Sequence, residues 1–241
     1  MSLYQKLQIP AACEVDKTIY KKMFYDNADL SKTDKALFSD VIDKVTWLYC
    51  LKTECINIQP YRDEVREYQE LEVLEVALTA EKGLRRIAKI IMRAIPYPML
   101  LIFRLEERAQ VWAAHQRFNL SDSEKVTLDE FVSTDWQAAD SPLWDALALP
   151  KMRFTNFYAL YSDWVDAISI HNAHFIMHHC EELTGEQARQ LLAKQQATEA
   201  KIAALRAELK KETQFNRKVE INMEIKRLER GYTDGDPKVD I

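Results

Sequence analysis

Three stretches of this chain concentrate residue types that can do chemistry. Four of its five histidines fall within nine residues, at His171, His174, His178 and His179, and Cys180, Glu181 and Glu182 follow at once. On a helix, His171, His174, His178 and Glu182 would share an arc of roughly 80°, enough to converge on a divalent cation such as Zn²⁺. Three ligands from one straight helix rarely close a tetrahedron unaided, and no partner motif stands elsewhere. A half-exposed helix face is the competing expectation.

The second stretch is an acidic row, Glu64, Glu67, Glu70, Glu72 and Glu75. Restriction-type nuclease cores place an acid, then an acid-x-lysine on the next strand, to hold Mg²⁺ and orient the attacking water. Glu70-Leu71-Glu72 and Glu72-Val73-Leu74 supply the acids but not the lysine. Glu67, Glu70 and Glu72 are therefore catalytic candidates only for a divergent enzyme. The plainer expectation is the polar face of an edge strand, which glutamates keep from aggregating.

The third stretch is basic. Between Glu186 and Arg230 there are 11 Lys/Arg against 7 Asp/Glu, about +4, which leaves about −9 on the rest of a chain whose net charge is −5. Lys210, Lys211, Arg217 and Lys218 flank Phe215 in a polar break, an arrangement suited to nucleic acid or to an acidic protein surface. A solvated helix rich in ion pairs would look the same.

Other chemistries find no support. Four glycines in 241 residues form neither GxGxxG nor GxxxxGK[ST], so the commonest phosphate loops are absent. Cysteines 13, 50, 55 and 180 show no CxxC pairing and are expected as reduced thiols. His115 stands alone, no Ser-His-Asp set can be specified, and the five tryptophans sit in apolar surroundings that suit a core. No cofactor is expected, and Mg²⁺ or Zn²⁺ enters only with the nuclease or histidine-site readings. The N-terminal stretch lacks a signal-peptide pattern and the longest apolar run, Met99 to Phe103, is far short of the roughly 20 residues that span a bilayer. A cytoplasmic protein with no membrane contact is expected.

The elements that would position these residues follow from spacing. Ser31 caps a helix whose apolar side runs through Leu37, Phe38, Val41, Ile42, Val45 and Leu48. Cys55 to Ile58 is a short β-leaning stretch, and Glu70 to Leu78 reads as a strand. Glu81 to Ala94 reads as a helix ended by Pro96 and Pro98. Met99 to Leu105 has the continuous apolar character of a central strand, Gln110 to Phe118 returns as a hairpin, and Val126 to Val132 is a third strand. A long helix runs from Thr155 to about Leu183. Beyond Gly185 neither glycine nor proline occurs until Gly231. One helix of that length would reach on the order of 65 Å. Its seam Ile202, Leu205, Leu209 meets Glu212 and Asn216 out of register and restarts at Ile221, Ile225 and Leu228. A hairpin turning near Glu212–Asn216 explains this better than a single rod.

The expected fold is α+β: a mixed or mostly antiparallel sheet with packed helices, followed by a long coiled-coil-like helix or helical hairpin. The expected divisions are 1–184 for the body, 185–231 for the helical arm and 232–241 for a frayed tail.

Several landmarks together resemble domain-of-unknown-function family 4391: Ile19-Tyr-Lys-Lys-Met-Phe, Val45-Thr-Trp-Leu-Tyr, Glu70-Leu-Glu-Val-Leu-Glu-Val-Ala-Leu, Ile95-Pro-Tyr-Pro-Met-Leu-Leu-Ile-Phe, and Lys211 through Ile225. The resemblance runs from about residue 8 to 228. It implies a setting beside helicases and DNA methyltransferases in restriction-modification and anti-phage loci, and it supplies no catalytic residue. The histidine cluster is not part of the family pattern. The function expected on these grounds is a non-enzymatic accessory subunit that docks on a helicase or methyltransferase or self-associates through the arm, with nucleic acid as a further contact. The alternative is a divergent metal-dependent nuclease acting on DNA.

Overall fold

Ser31 opens a helix through a reciprocal cap. Its hydroxyl accepts from the Asp34 amide at 3.1 Å, and the Asp34 carboxylate accepts from the Ser31 amide at 3.0 Å. That helix, α1 (Lys32–Val41), is shorter than the apolar spacing predicts. In the computed structural model, which describes residues 2–28, 30–119, 126–176 and 182–233, Ile42, Val45 and Leu48 lie on a strand, β2 (Ile42–Leu51). The β-branched residues Ile42, Val45 and Thr46 favour extended backbone, and pairing on both sides decides the matter. Cys55 to Ile58 departs from expectation in the other direction: Thr53–Ile56 makes a single helical turn, closed by Asn57 at φ 53°.

The main sheet contains β1 (Glu14–Ile19), β2, β3 (Leu71–Leu78), β4 (Met99–Leu105), β5 (Arg108–Ala113), β6 (Val132–Ser133) and β7 (Gln137–Ala138). Its order is β1-β2-β3-β4-β5-β6, with β7 also paired to β5. Every pair is antiparallel except β3 with β4, which run parallel and are joined by α2 (Leu84–Ala94). The helix begins three residues later than expected because Gly83 sits at φ +66°. A Cβ there would also meet Leu37 Cδ1 at 2.8 Å. The third strand anticipated over Val126–Val132 is divided. Val126–Leu128 pairs with Gln116–Phe118 in a separate ribbon, and Val132 joins the main sheet.

The strand that bears the glutamates is central rather than at the edge, and all eight of its residues are buried. One face of the sheet packs on α1 and α2 through Phe38, Leu74, Val76, Ile87, Ile91 and Phe103. The other packs on α3 (Phe157–His174) through Leu71, Val73, Ile102, Tyr161 and Trp164. This is the mixed α+β architecture that the spacing anticipated. The long helix expected to about Leu183 ends at His174, and residues 177–181 lie outside the described set.

The chain divides into two compact units, Met1–Ile168 and Ser169–Ile241. The second contains the arm, which is a hairpin of α4 (Gly185–Lys211) and α5 (Phe215–Thr233). Ile202, Ile221 and Ile225 form its small core, with Leu205, Leu209 and Leu228 against them. Thr184 and Gln187 cap α4 reciprocally. At the turn the Glu212 carboxylate accepts from the Thr213 and Gln214 amides at 2.7 and 2.8 Å. The seam break in the sequence is this turn. No helix among the described residues is long and apolar enough to cross a membrane.

Candidate functional site

The chemistry collects where β2 ends and β3 begins. Cys50 lies opposite Glu72 and Leu51 opposite Leu71, but Trp47 lies opposite Leu74 and Tyr49 opposite Val73. β2 therefore carries one extra residue between Trp47 and Tyr49, a bulge. Cross-strand partners share a face, so the bulge puts Trp47 and Cys50, three residues apart, on the same face as Glu72. Both point donors at it. Trp47 Nε1 donates to Glu72 Oε2 at 2.5 Å, and Cys50 Sγ donates to Oε1 at 3.3 Å.

Glu70 shares this face, being two residues from Glu72. Its partner is Lys52, just past the end of β2, whose Nζ lies 3.3 Å from Glu70 Oε2. One ligand atom from each of Cys50, Glu70 and Glu72 lies within 4.8 Å of the others. Lys52 and Glu70 open onto a cleft of about 600 Å³ whose walls include Glu54, Tyr61, Arg62 and Glu67.

Burial dominates the electrostatics. Glu72 is 2% exposed, and desolvation pushes its carboxyl up to about 7; Trp47 and Cys50 oppose the rise, and the Glu70 charge adds to it. Burial also drives the Cys50 thiol upward, reinforced by the negative charges of Glu72 and Glu70. The ammonium of Lys52 is held on by its hydrogen bond to Glu70. Cys50 therefore stays a thiol and is a poor metal ligand, which leaves two carboxylates. Oxygen donors in this number suit a hard cation such as Mg²⁺ or Mn²⁺, which retains several waters. They do not suit Zn²⁺.

The remaining candidates are placed as follows. Glu67 lines the same cleft and is bonded to Arg62 at 3.1 Å. Glu64 is exposed. Glu75 is buried on the opposite sheet face, where it accepts from Arg104 Nε at 3.0 Å and from the Tyr4 hydroxyl. His171 is half-buried with its ring edge-on to Phe175 at 5.1 Å; burial, then His174, lowers its pKa. His174 is exposed, and His178 lies outside the described residues. Among the described residues, His171 and His174 join no group of metal-ligating atoms. His115 Nδ1 is hydrogen-bonded to the Tyr68 hydroxyl at 2.7 Å. On the arm, Lys210 and Lys211 are exposed, Lys218 is half-buried, and Phe215 is 78% exposed. Arg217 is engaged by Glu220 at 3.0 Å and Glu208 at 3.3 Å.

Lys52, Trp47 and Cys50 are the members that spacing along the chain does not reveal. Trp47 and Cys50 come from the neighbouring strand, aligned on one face by the bulge, and Lys52 follows directly after that strand.

The family described as Domain of unknown function (DUF4391) matches residues 7–231. The chain belongs to this family. No curated protein and no solved structure matches it. The DUF4391 match takes in both the carboxylate cluster of β3 and the α4–α5 hairpin, so both belong to the family domain.

Proposed function

We propose that the chain is a divergent metal-dependent nuclease acting on DNA, with Glu70 and Glu72 as the cation-holding carboxylates and Lys52 as their cationic companion. The observation that carries this reading is the approach of Lys52 to Glu70. The lysine missing from the acid-x-lysine spacing is supplied across the β2–β3 pair, at 3.3 Å. The path from the β1-β2-β3 antiparallel run through α2 to parallel β4 is the helix-and-strand order that loosely resembles restriction-type cores.

A cation bound there would neutralise the site and polarise the scissile phosphate. The cleft needs that neutralisation, because Glu54, Glu67 and Glu70 outnumber Lys52 and Arg62 on its walls. Lys52 keeps its proton at neutral pH, so its ammonium can pair with a phosphate oxygen beside Glu70. Trp47 and Cys50 hold the Glu72 carboxylate in one orientation. Water would attack phosphorus as the P–O bond to the leaving strand breaks.

The test combines binding with turnover. Mg²⁺ or Mn²⁺ should raise the melting temperature of the intact chain, and Glu70→Gln should abolish the rise. Plasmid cleavage in the same buffer should be lost in Glu70→Gln and in Lys52→Met. If millimolar cation leaves the melting temperature unmoved at pH 8, the reading fails whatever a partner contributes.

The second reading is the accessory subunit, docking on a helicase or methyltransferase of a restriction-modification or anti-phage system. The observation in its favour is the exposed apolar side of the arm, with Phe215 its most exposed member.

A further inference from the structure

Among the described residues, three large apolar side chains left exposed share one helix at four-residue spacing: Phe215 (78%), Val219 (42%) and Met223 (67%). At ~100° per residue they occupy an arc of roughly 80° on α5. The stripe that packs against α4, Ile221, Ile225 and Leu228, lies roughly 150° round the helix from it. α5 is thus apolar on two nearly opposite sides, and α4 covers one. A solvated helix needs only one such stripe to hold its partner. Single exposed hydrophobic residues need no explanation, but a row in register marks an interaction surface.

Charge selects the occupant. All three carboxylates of α5 are engaged within the arm: Glu220 by Arg217 at 3.0 Å, Glu224 by Lys201 at 2.8 Å, and Glu229 by Arg206 at 2.8 Å. At helical spacing Lys226 falls within the exposed arc and Lys218 beside it. The face presents an apolar row with a cation in line with it and another beside it. The polyanion that would suit the lysines alone is nucleic acid, but Val219 and Met223 offer phosphate and base little, and neither stacks as an aromatic ring does. A second copy of the same face would bring the same cations to the contact. An amphipathic helix with an apolar stripe bordered by Asp and Glu satisfies both features at once.

We propose that the exposed side of α5, centred on Phe215, Val219 and Met223, is a docking site for an acidic amphipathic helix of a partner protein. The site stands whether or not Glu70 and Glu72 hold a cation, since it rests on residues of the arm alone.

The test uses the full chain and two labelled helical peptides that share one leucine stripe, one bordered by glutamates and the other by lysines. The acidic peptide should bind at least about tenfold more tightly, a difference of about 1.4 kcal/mol. Its affinity should weaken as salt rises. Phe215→Ser combined with Met223→Ser should weaken it at least about tenfold while far-UV circular dichroism stays unchanged, because both side chains are exposed. Lys226→Glu should reduce the preference for the acidic peptide. Equal binding of the two peptides, or no binding of the acidic one, overturns the proposal. So does displacement of the acidic peptide by duplex DNA, which would make the face a nucleic-acid contact. A dimer in sedimentation that disappears in the double variant overturns it too, by assigning the face to a second copy.

Discussion

Trp47 reaches across the β2–β3 pair and donates its indole N–H to the Glu72 carboxylate at 2.5 Å. It can do so only because of the extra residue between Trp47 and Tyr49, which turns Trp47 and Cys50 onto one face. A regular strand would leave the two residues on opposite sides of the sheet. A buried acid with two donors and a second carboxylate alongside can exist as a proton-bearing group or as half of a cation site. Proton and cation compete for the same oxygens.

Stability should fall as pH rises through neutrality. The Glu72 carboxyl titrates near 7 in the folded chain, above the ordinary 4.5, so the folded state holds the extra proton between those values. The stabilisation from the neutral acid is complete below about 4.5 and lost as pH rises through about 7. The shift corresponds to about 3 kcal/mol. Urea unfolding at pH 5, 6, 7 and 8 should show wild type losing stability relative to Glu72→Gln. Parallel pH profiles would remove the assignment. At pH 8, Mg²⁺ should restore part of the loss in wild type and none in the variant.

Trp47→Phe removes one donor while leaving the bulge and most of the ring in place. The expected cost is about 1–3 kcal/mol above pH 7, where Glu72 is ionised and has lost an N–H, and less at pH 5. The variant should also carry a higher Glu72 pKa than wild type, read by NMR of a ¹³C-labelled carboxyl. An unchanged pKa would mean that the indole contact contributes nothing to holding the charge.

Asp34 is a second buried acid, with the opposite behaviour. Arg86 donates to it through Nε at 2.7 Å and Nη2 at 2.8 Å, and Ser31 donates as well. The Arg86 bonds lead in holding its carboxyl well below the usual range, so its contribution is present above the ordinary carboxylate pKa and lost only on strong acidification. Asp34→Ala removes the carboxylate half of the reciprocal cap and the bidentate Arg86 pair, at a cost of about 1–3 kcal/mol that stays constant from pH 5 to 8. Chemical denaturation at two pH values in that window checks it.

How much of this was legible in the chain varies with the range of the contact responsible. Ser31 and Asp34 announce their cap because the bonds span three residues. The α4–α5 turn was legible because Glu212 and Asn216 interrupt a seam that is otherwise apolar. Val45 and Leu48 fit a helix by the three-and-four spacing of Leu37 to Leu48, while the strand is imposed by partners at Thr18–Ile19 and Leu71–Leu78, far away in sequence. Glu72 and Glu75 suggested an edge strand because nothing local reveals that β4 pairs on the far side. The Trp47–Glu72 contact depends on a one-residue bulge, and no residue type marks its position.

The arm offers the last prediction. Its core is small: Ile202, Ile221 and Ile225 are buried, and three leucines lie against them. Ile225→Ala should therefore weaken α4–α5 pairing by about 2–4 kcal/mol, a large share of what so few side chains can supply. Hydrogen exchange resolves the effect by position. Amides of α5 should lose protection, with Lys201–Glu224 and Arg217–Glu208 loosened in consequence, while β2, β3 and β4 exchange as in wild type. Loss of protection in the sheet as well would show that hairpin and sheet unfold as one cooperative body rather than as separate units. Retention of full protection in α5 would show that ion pairs hold the two helices without the isoleucines, which is contrary to the weak contribution expected of exposed pairs.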